Sequence, residues 1–221
     1  MNKIMKQTFI IALILTAYSL TAQETAYNLI EFKNKTGNEI DYLFFSPGDS
    51  GWWGPDVLGD TRTMYAGESV SFYISYPEYS ATFDFMAVDE EGNIYELYDK
   101  GIDDSGEARI VINKSHRTDQ MSIDEFEDDL ISLEIMNYTG FEIYYLFISP
   151  SDSDMYGIDF MDRETTLIPD DSVSVLLFHS EDGTEYDIMG EDLEGDTYSF
   201  SLTLDPELEF QYTEITLDDI D

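Results

Sequence analysis

Asn34-Lys35-Thr36-Gly37-Asn38-Glu39-Ile40-Asp41-Tyr42-Leu43-Phe44-Phe45-Ser46-Pro47-Gly48-Asp49-Ser50 returns 103 residues later. It reappears as Asn137-Tyr138-Thr139-Gly140-Phe141-Glu142-Ile143-Tyr144-Tyr145-Leu146-Phe147-Ile148-Ser149-Pro150-Ser151-Asp152-Ser153. The same shift carries Gly54 and Asp56 onto Gly157 and Asp159, and Ser69-Val70-Ser71 onto Ser172-Val173-Ser174. It carries Asp84, Met86, Asp89, Glu91, Gly92 and Tyr95 onto Asp187, Met189, Asp192, Glu194, Gly195 and Tyr198. No gap is needed. A fixed-offset repeat decides the architecture before any local reading does: one module is written twice.

The period inside each copy is two. Val70, Phe72 and Ile74 alternate with Ser69, Ser71, Tyr73 and Ser75; the second copy repeats this with Val173, Val175 and Leu177. Phe83, Phe85 and Ala87 alternate with Asp84, Met86 and Val88. Alternate side chains of a strand point to opposite faces, so this pattern reads as one buried and one wetter face. Turn residues punctuate the runs at Thr36-Gly37, Ala66-Gly67-Glu68, Pro169-Asp170-Asp171, Glu91-Gly92-Asn93 and Glu194-Gly195-Asp196. Gly, Asn and Asp accept the positive φ that tight connections demand. Six strands are predicted in copy one, at 28–34, 39–46, 68–76, 81–89, 93–99 and 107–113. Their counterparts are predicted at 131–137, 142–149, 171–179, 184–192, 196–204 and 209–217. The chain is thus expected to be all-β, with two tandem β-sandwich modules of about six strands each. The modules are placed at 23–113 and 130–221. Each is long enough for a small core, so residues 23–117 are expected to fold alone.

The remaining residues frame these modules. Lys3 and Lys6 precede the apolar block Phe9-Ile10-Ile11-Ala12-Leu13-Ile14-Leu15, and small or polar residues run from Thr16 to Ala22. Residues 1–22 are therefore expected to be a secretory signal peptide, too short in its apolar run to span a bilayer, which takes about 20 residues. The mature chain is expected to be soluble and exported, periplasmic or extracellular, without membrane insertion. Residues 114–129 read as an acidic and polar linker, a solvated connector ending in Asp124-Glu125-Phe126-Glu127-Asp128-Asp129.

Charge and composition exclude several chemistries. The chain of 221 residues carries 48 Asp and Glu against 10 Lys and Arg, a formal charge of −38. That balance opposes binding to nucleic acid or anionic lipid. The lack of cysteine excludes thiol catalysis, disulfides and Cys-ligated metals. Residues 118–221 hold Arg163 alone against 30 acids, which suits solubility, a basic partner, or divalent cations that relieve self-repulsion. His116 and His179 fall outside the repeated positions, so a Ser-His-Asp constellation would rest on one unrepeated histidine.

The most distinctive segment follows the second strand: Ser46-Pro47-Gly48-Asp49-Ser50-Gly51-Trp52-Trp53-Gly54-Pro55-Asp56-Val57-Leu58-Gly59-Asp60. Its counterpart reads Ser149-Pro150-Ser151-Asp152-Ser153-Asp154-Met155-Tyr156-Gly157-Ile158-Asp159-Phe160-Met161-Asp162. Three readings compete. In the first, the loop is architecture: Asp56 and Asp159 accept backbone N–H bonds, and the aromatics cap the sandwich. In the second, Asp49, Asp56 and Asp60, with Asp152, Asp154, Asp159 and Asp162, supply hard oxygens to calcium. The spacing is not that of an EF-hand, because Tyr156 and Arg163 occupy the fifth and twelfth places counted from Asp152. In the third, Trp52, Trp53 and Tyr156 offer a stacking face to a sugar or peptide.

The pattern Tyr-Leu-Phe-x-Ser-Pro-x-Asp-Ser-x2-[Trp/Tyr]-Gly-x-Asp resembles a module of uncharacterised exported bacterial proteins. The resemblance covers most of each copy and implies export and a β-fold, with no activity attached. Copy two departs from copy one by placing Met155 and Tyr156 where Trp52 and Trp53 stand. A ligand held by those tryptophans would meet copy two differently or not at all.

Asp84 and Asp187 lie out of phase with the apolar set of their strand, on the wetter face. Asn34-x-Thr36 and Asn137-x-Thr139 match a glycosylation pattern but fall where turns are needed. No carboxylate pair is singled out for glycoside hydrolysis. The chain thus reads as an exported, non-enzymatic binding or structural interaction protein with an unknown protein or glycan partner. A calcium-binding module is the first alternative and a carboxylate-dependent hydrolase the second.

Overall fold

A computed structural model describes residues 25–59, 62–77, 82–101, 107–153, 155, 157–161, 165–179 and 184–221. Copy one contributes β1 (Thr25–Lys35), β2 (Ile40–Pro47), β3 (Ser69–Pro77), β4 (Thr82–Asp89), β5 (Asn93–Gly101) and β6 (Glu107–Asn113). A further strand, β7 (Arg117–Gln120), and a short helix, α1 (Ile123–Glu127), lead to copy two. There follow β8 (Leu130–Asn137), β9 (Ile143–Pro150), β10 (Gly157–Ile158), β11 (Ser172–Phe178), β12 (Glu185–Asp192), β13 (Thr197–Thr203) and β14 (Phe210–Ile215). The twelve expected strands all form, within three residues of their predicted ends.

Each copy is two facing sheets. In copy one β3-β1-β6 faces β2-β4-β5-β7; in copy two β11-β8-β14 faces β9-β12-β13. Within each copy the first and last strands, β1 with β6 and β8 with β14, run parallel. The inward sets predicted from alternation meet between the sheets. Ile30, Phe32, Val70 and Ile74 pack with Leu43, Phe45, Phe83, Phe85 and Ala87, while Leu133, Ile135, Val175 and Leu177 pack with Leu146, Ile148, Tyr186 and Ile188.

The turns explain several repeated polar residues. Asn34 is fully buried: its amide donates to the Asn38 and Met64 carbonyls, and its oxygen accepts from the Thr36 N–H and hydroxyl. Asn137 makes the same four bonds with Phe141, Leu167 and Thr139. Both side chains are structural acceptors and donors of a closed turn. Asp89 and Asp192 organise the β4–β5 and β12–β13 turns, accepting from backbone N–H groups and from the hydroxyls of Tyr95 and Tyr198.

The copies interlock about a pseudo-twofold axis. The Asp56 N–H donates to the Leu176 carbonyl at 2.9 Å, and the Asp159 N–H to the Tyr73 carbonyl at 3.0 Å. Those pairs are one contact written twice, since Asp159 and Leu176 are the 103-residue images of Asp56 and Tyr73. Such reciprocity is the signature of an isologous interface. The strand β10 of copy two adds to the edge of β3 in copy one, and Met155 and Ile158 complete the copy-one core. Phe160 packs against both cores. The sheets therefore share their filling, which the expectation of independent modules did not include.

Residues 114–129 also differ from a solvated connector. The strand β7 pairs with β5, and Phe126 is 2% exposed, packed against Phe44, Met86, Val88 and Ile94 with Phe178 alongside. Residues 114–129 carry Met121, Ile123 and, within the acidic run, Phe126, which close over the outer face of β2-β4-β5. That cover is why β4 is buried on both faces over Phe85–Asp89, whereas β12, lacking such a cover, keeps the expected alternation.

Candidate functional site

Both loops after the second strand run back along it. Asp56 bridges Phe44 and Asp159 bridges Phe147. The Asp56 carboxylate accepts from the Leu43 N–H at 2.8 Å and the Leu58 N–H at 3.1 Å; Asp159 accepts from Leu146 at 3.1 Å and Met161 at 2.9 Å. These are loop-closing bonds to carboxylates, the stronger class of hydrogen bond. Asp49 and Asp152 lie across the axis. The Ser153 hydroxyl donates to Asp49 at 2.8 Å, and the Ser50 hydroxyl donates to Asp152 at 2.7 Å. The Gly51 N–H adds a second bond to Asp152. The four acids described from the calcium reading are thus engaged with backbone and hydroxyl donors. Among the described residues no three His, Asp or Glu side chains group as ligands of one ion. Asp60, Asp154 and Asp162, and Tyr156 of the stacking reading, lie outside the described residues.

The two tryptophans have separate surroundings. Trp52 is 43% exposed. Trp53 is half-buried, with its ring 6.0 Å from that of Tyr98, and its carbonyl accepts from the Tyr186 hydroxyl at 2.8 Å. Adjacent residues of an extended chain point apart, yet here both residues border one small pocket. Ser46, Ser50, Gly51, Trp52, Trp53, Asp84 and Tyr98 line it, and its volume is about 110 Å³.

Tyr98 reaches the pocket through a bulge that periodicity does not reveal. Phe83 pairs with Lys100 and Phe85 with Leu97, so two residues of β5, Tyr98 and Asp99, face the single Asp84 of β4. Asp99 takes a positive φ of 55°, and its N–H donates to the Asp84 carboxylate at 2.7 Å. A bulge bends the strand and re-aims a side chain. Burial lifts the Asp84 carboxyl above its ordinary range, against the opposing pull of the Asp99 N–H.

Among the described residues, copy two surrounds the same aspartate differently. There β12 and β13 pair without a break, Asp187 opposite Ser201. The hydroxyls of Ser151 and Ser201 each donate to Asp187 at 2.7 Å. In copy one those serines are Gly48 and Tyr98. Asp84 and Tyr98 are the pocket residues that the loop-centred reading of the sequence missed. The signal was present in the serine-to-tyrosine difference between the copies.

A larger, open groove of about 660 Å³ lies between α1 and copy two, where Tyr42, Leu130 and Leu208 mix with Asp124, Glu127 and Glu207. It has no counterpart to the convergent rings of the smaller pocket.

No family model matches the chain, and no curated protein matches it. Among solved structures, a protein from Eubacterium rectale determined by NMR is similar over 39% of this chain and 77% of its own. The identity is 18% and the TM-score 0.31, a likeness that carries no functional argument. No helix among the described residues is long and apolar enough to cross a membrane.

Proposed function

We propose that this chain is an exported, non-catalytic interaction protein that holds its ligand at the copy-one pocket of Trp52, Trp53, Tyr98 and Asp84. Export rests on the leader-like composition of residues 1–22. Binding rests on one observation: the duplicated fold closes around Asp187 with two serines, and around Asp84 with aromatic rings beside an open pocket. The module does not require a tyrosine beside this aspartate, because Ser201 takes the place of Tyr98 in copy two. An exposed tryptophan at a concave, polar-floored site favours recognition of a partner group.

The test is retention of the full chain on protein and glycan arrays. Trp52→Ala is expected to lose retention while its thermal melt stays unchanged. Undiminished retention by Trp52→Ala overturns the assignment.

A further inference from the structure

Resting on that reading, we infer that the copy-one pocket takes a small organic cation, an alkylammonium head group seated between the aromatic rings and the Asp84 carboxylate. Two observations converge on this ligand class. Trp52, Trp53 and Tyr98 line one space, with the rings of Trp53 and Tyr98 6.0 Å apart, and aromatic faces attract cations by roughly 0.5–2 kcal/mol. Asp84, in the lining, is half-buried, and its carboxylate accepts one backbone N–H bond, from Asp99, with the charge of Lys100 acting on it in part. A cation would offset the cost of that desolvated charge.

The pocket's hydroxyls argue against a sugar. The Ser46 Oγ already donates to the Trp52 carbonyl at 2.7 Å. The Ser50 Oγ is committed to Asp152 and to the Trp52 backbone. The serine hydroxyl protons are thus spent within the loop and are not offered to a polyhydroxylated ring. The volume agrees: about 110 Å³ is well below the 300–1,000 Å³ typical of a whole small-molecule site. It suits a head group rather than an entire ligand. A net charge of −38 would draw cations towards the molecule in general; the aromatic walls single out an organic one.

Trp52 and Trp53 are the chain's two tryptophans, so intrinsic emission reports on the pocket. The experiment titrates the full chain with choline chloride at constant ionic strength, against sodium chloride and the neutral isostere 3,3-dimethylbutan-1-ol. Choline is expected to change the emission saturably, with the isostere weaker by about tenfold or more, roughly the 1.4 kcal/mol that a charge and ring contact supply together. Asp84→Asn is expected to weaken choline about tenfold, and Asp187→Asn to leave it unchanged. Equal loss in both variants would assign the effect to bulk charge and overturn the inference. Equal binding of the isostere would leave an apolar pocket and overturn only the cation. Failure of choline with array retention still dependent on Trp52 would do the same. Failure of both would remove the pocket assignment itself. N-acetyl-trimethyllysine amide separates the sources. Affinity equal to choline's points to a free ammonium compound, and tenfold tighter binding points to a side chain of a protein partner.

Discussion

The same aspartate meets different company in the two copies. Around Asp187 the β12–β13 register is regular, and Ser151 and Ser201 satisfy the carboxylate. Around Asp84 the register slips by one residue, Asp99 turns into a positive φ, and Tyr98 swings beside Trp53. The loops differ in the same sense. Met155 is buried in the core of the other copy, while its counterpart Trp52 stands at the surface. Where two copies share a fold, a side chain that only one keeps is not demanded by the module itself, though it can serve the docking of the copies, as Met155 does. The shared residues, Asp56 and Asp159 or Asn34 and Asn137, are architecture. The candidate site sets the unshared Trp52, Trp53 and Tyr98 around the shared Asp84.

The comparison can be broken at its largest scale by cutting between the copies. Because Met155, Ile158 and Phe160 fill space in copy one, residues 25–129 alone are expected to lose the cooperative melt of the full chain. Mixing with residues 130–221 should restore it. A fragment melting within a few degrees of the full chain would show that the shared filling is dispensable. The next effect belongs to single side chains. Phe126→Ala should cost about 3–5 kcal/mol and Met155→Ala about 2–5 kcal/mol by urea denaturation, because each vacates a packed site. Trp52→Ala should stay within about 0.5 kcal/mol, as exposed substitutions do. A large loss for Trp52→Ala would return that ring to the structural reading.

Asp56→Ala and Asp159→Ala form the matched control. Each leaves two buried N–H groups without their acceptor, Leu43 and Leu58 in one copy, Leu146 and Met161 in the other. Unmet buried donors cost roughly 1–3 kcal/mol each, so the two variants should fall by similar amounts on chemical denaturation. A marked difference between them would mean that the pseudo-twofold axis relates backbones but not energetics.

Much of this was legible in the residues alone. A period of two and a gapless repeat suffice for twelve strands, because alternation and turn chemistry are local. The loop-closing roles of Asp56 and Asp159 were one of three readings of a loop in which Ser46, Asp49 and Ser50 recur as well. The interlock was not legible: which core Met155 enters depends on how two modules dock, and nothing local encodes it. The burial of Phe126 was hidden by the five carboxylates around it, whose charge dominates any reading by composition. The bulge at Tyr98 was hidden because a single extra residue leaves the alternation of β5 almost intact.

The smallest effect is also the sharpest, since the two copies should respond with opposite signs. Asp84 has a raised folded-state pKa, first because it is buried and despite the Asp99 N–H. An unfolded aspartate titrates near 3.9. Between that value and the folded one, the unfolded chain releases a proton that the folded chain keeps. Stability therefore falls as pH rises through this window and stays lowered above it. Asp84→Asn removes the penalty, so at neutral pH it should melt slightly above the parent chain. The gain should shrink towards zero as pH drops to the unfolded value. Asp187→Asn replaces a charged acceptor of two hydroxyls by a neutral one, and charge-assisted bonds are the stronger kind. It should melt at or below the parent at neutral pH. If both variants gained equally, relief of the overall negative charge would explain them, and the two aspartates would be equivalent after all. If choline then stabilised the parent by RT ln(1 + [L]/Kd) but not Asp84→Asn, the buried charge would be the part of the site that meets the ligand.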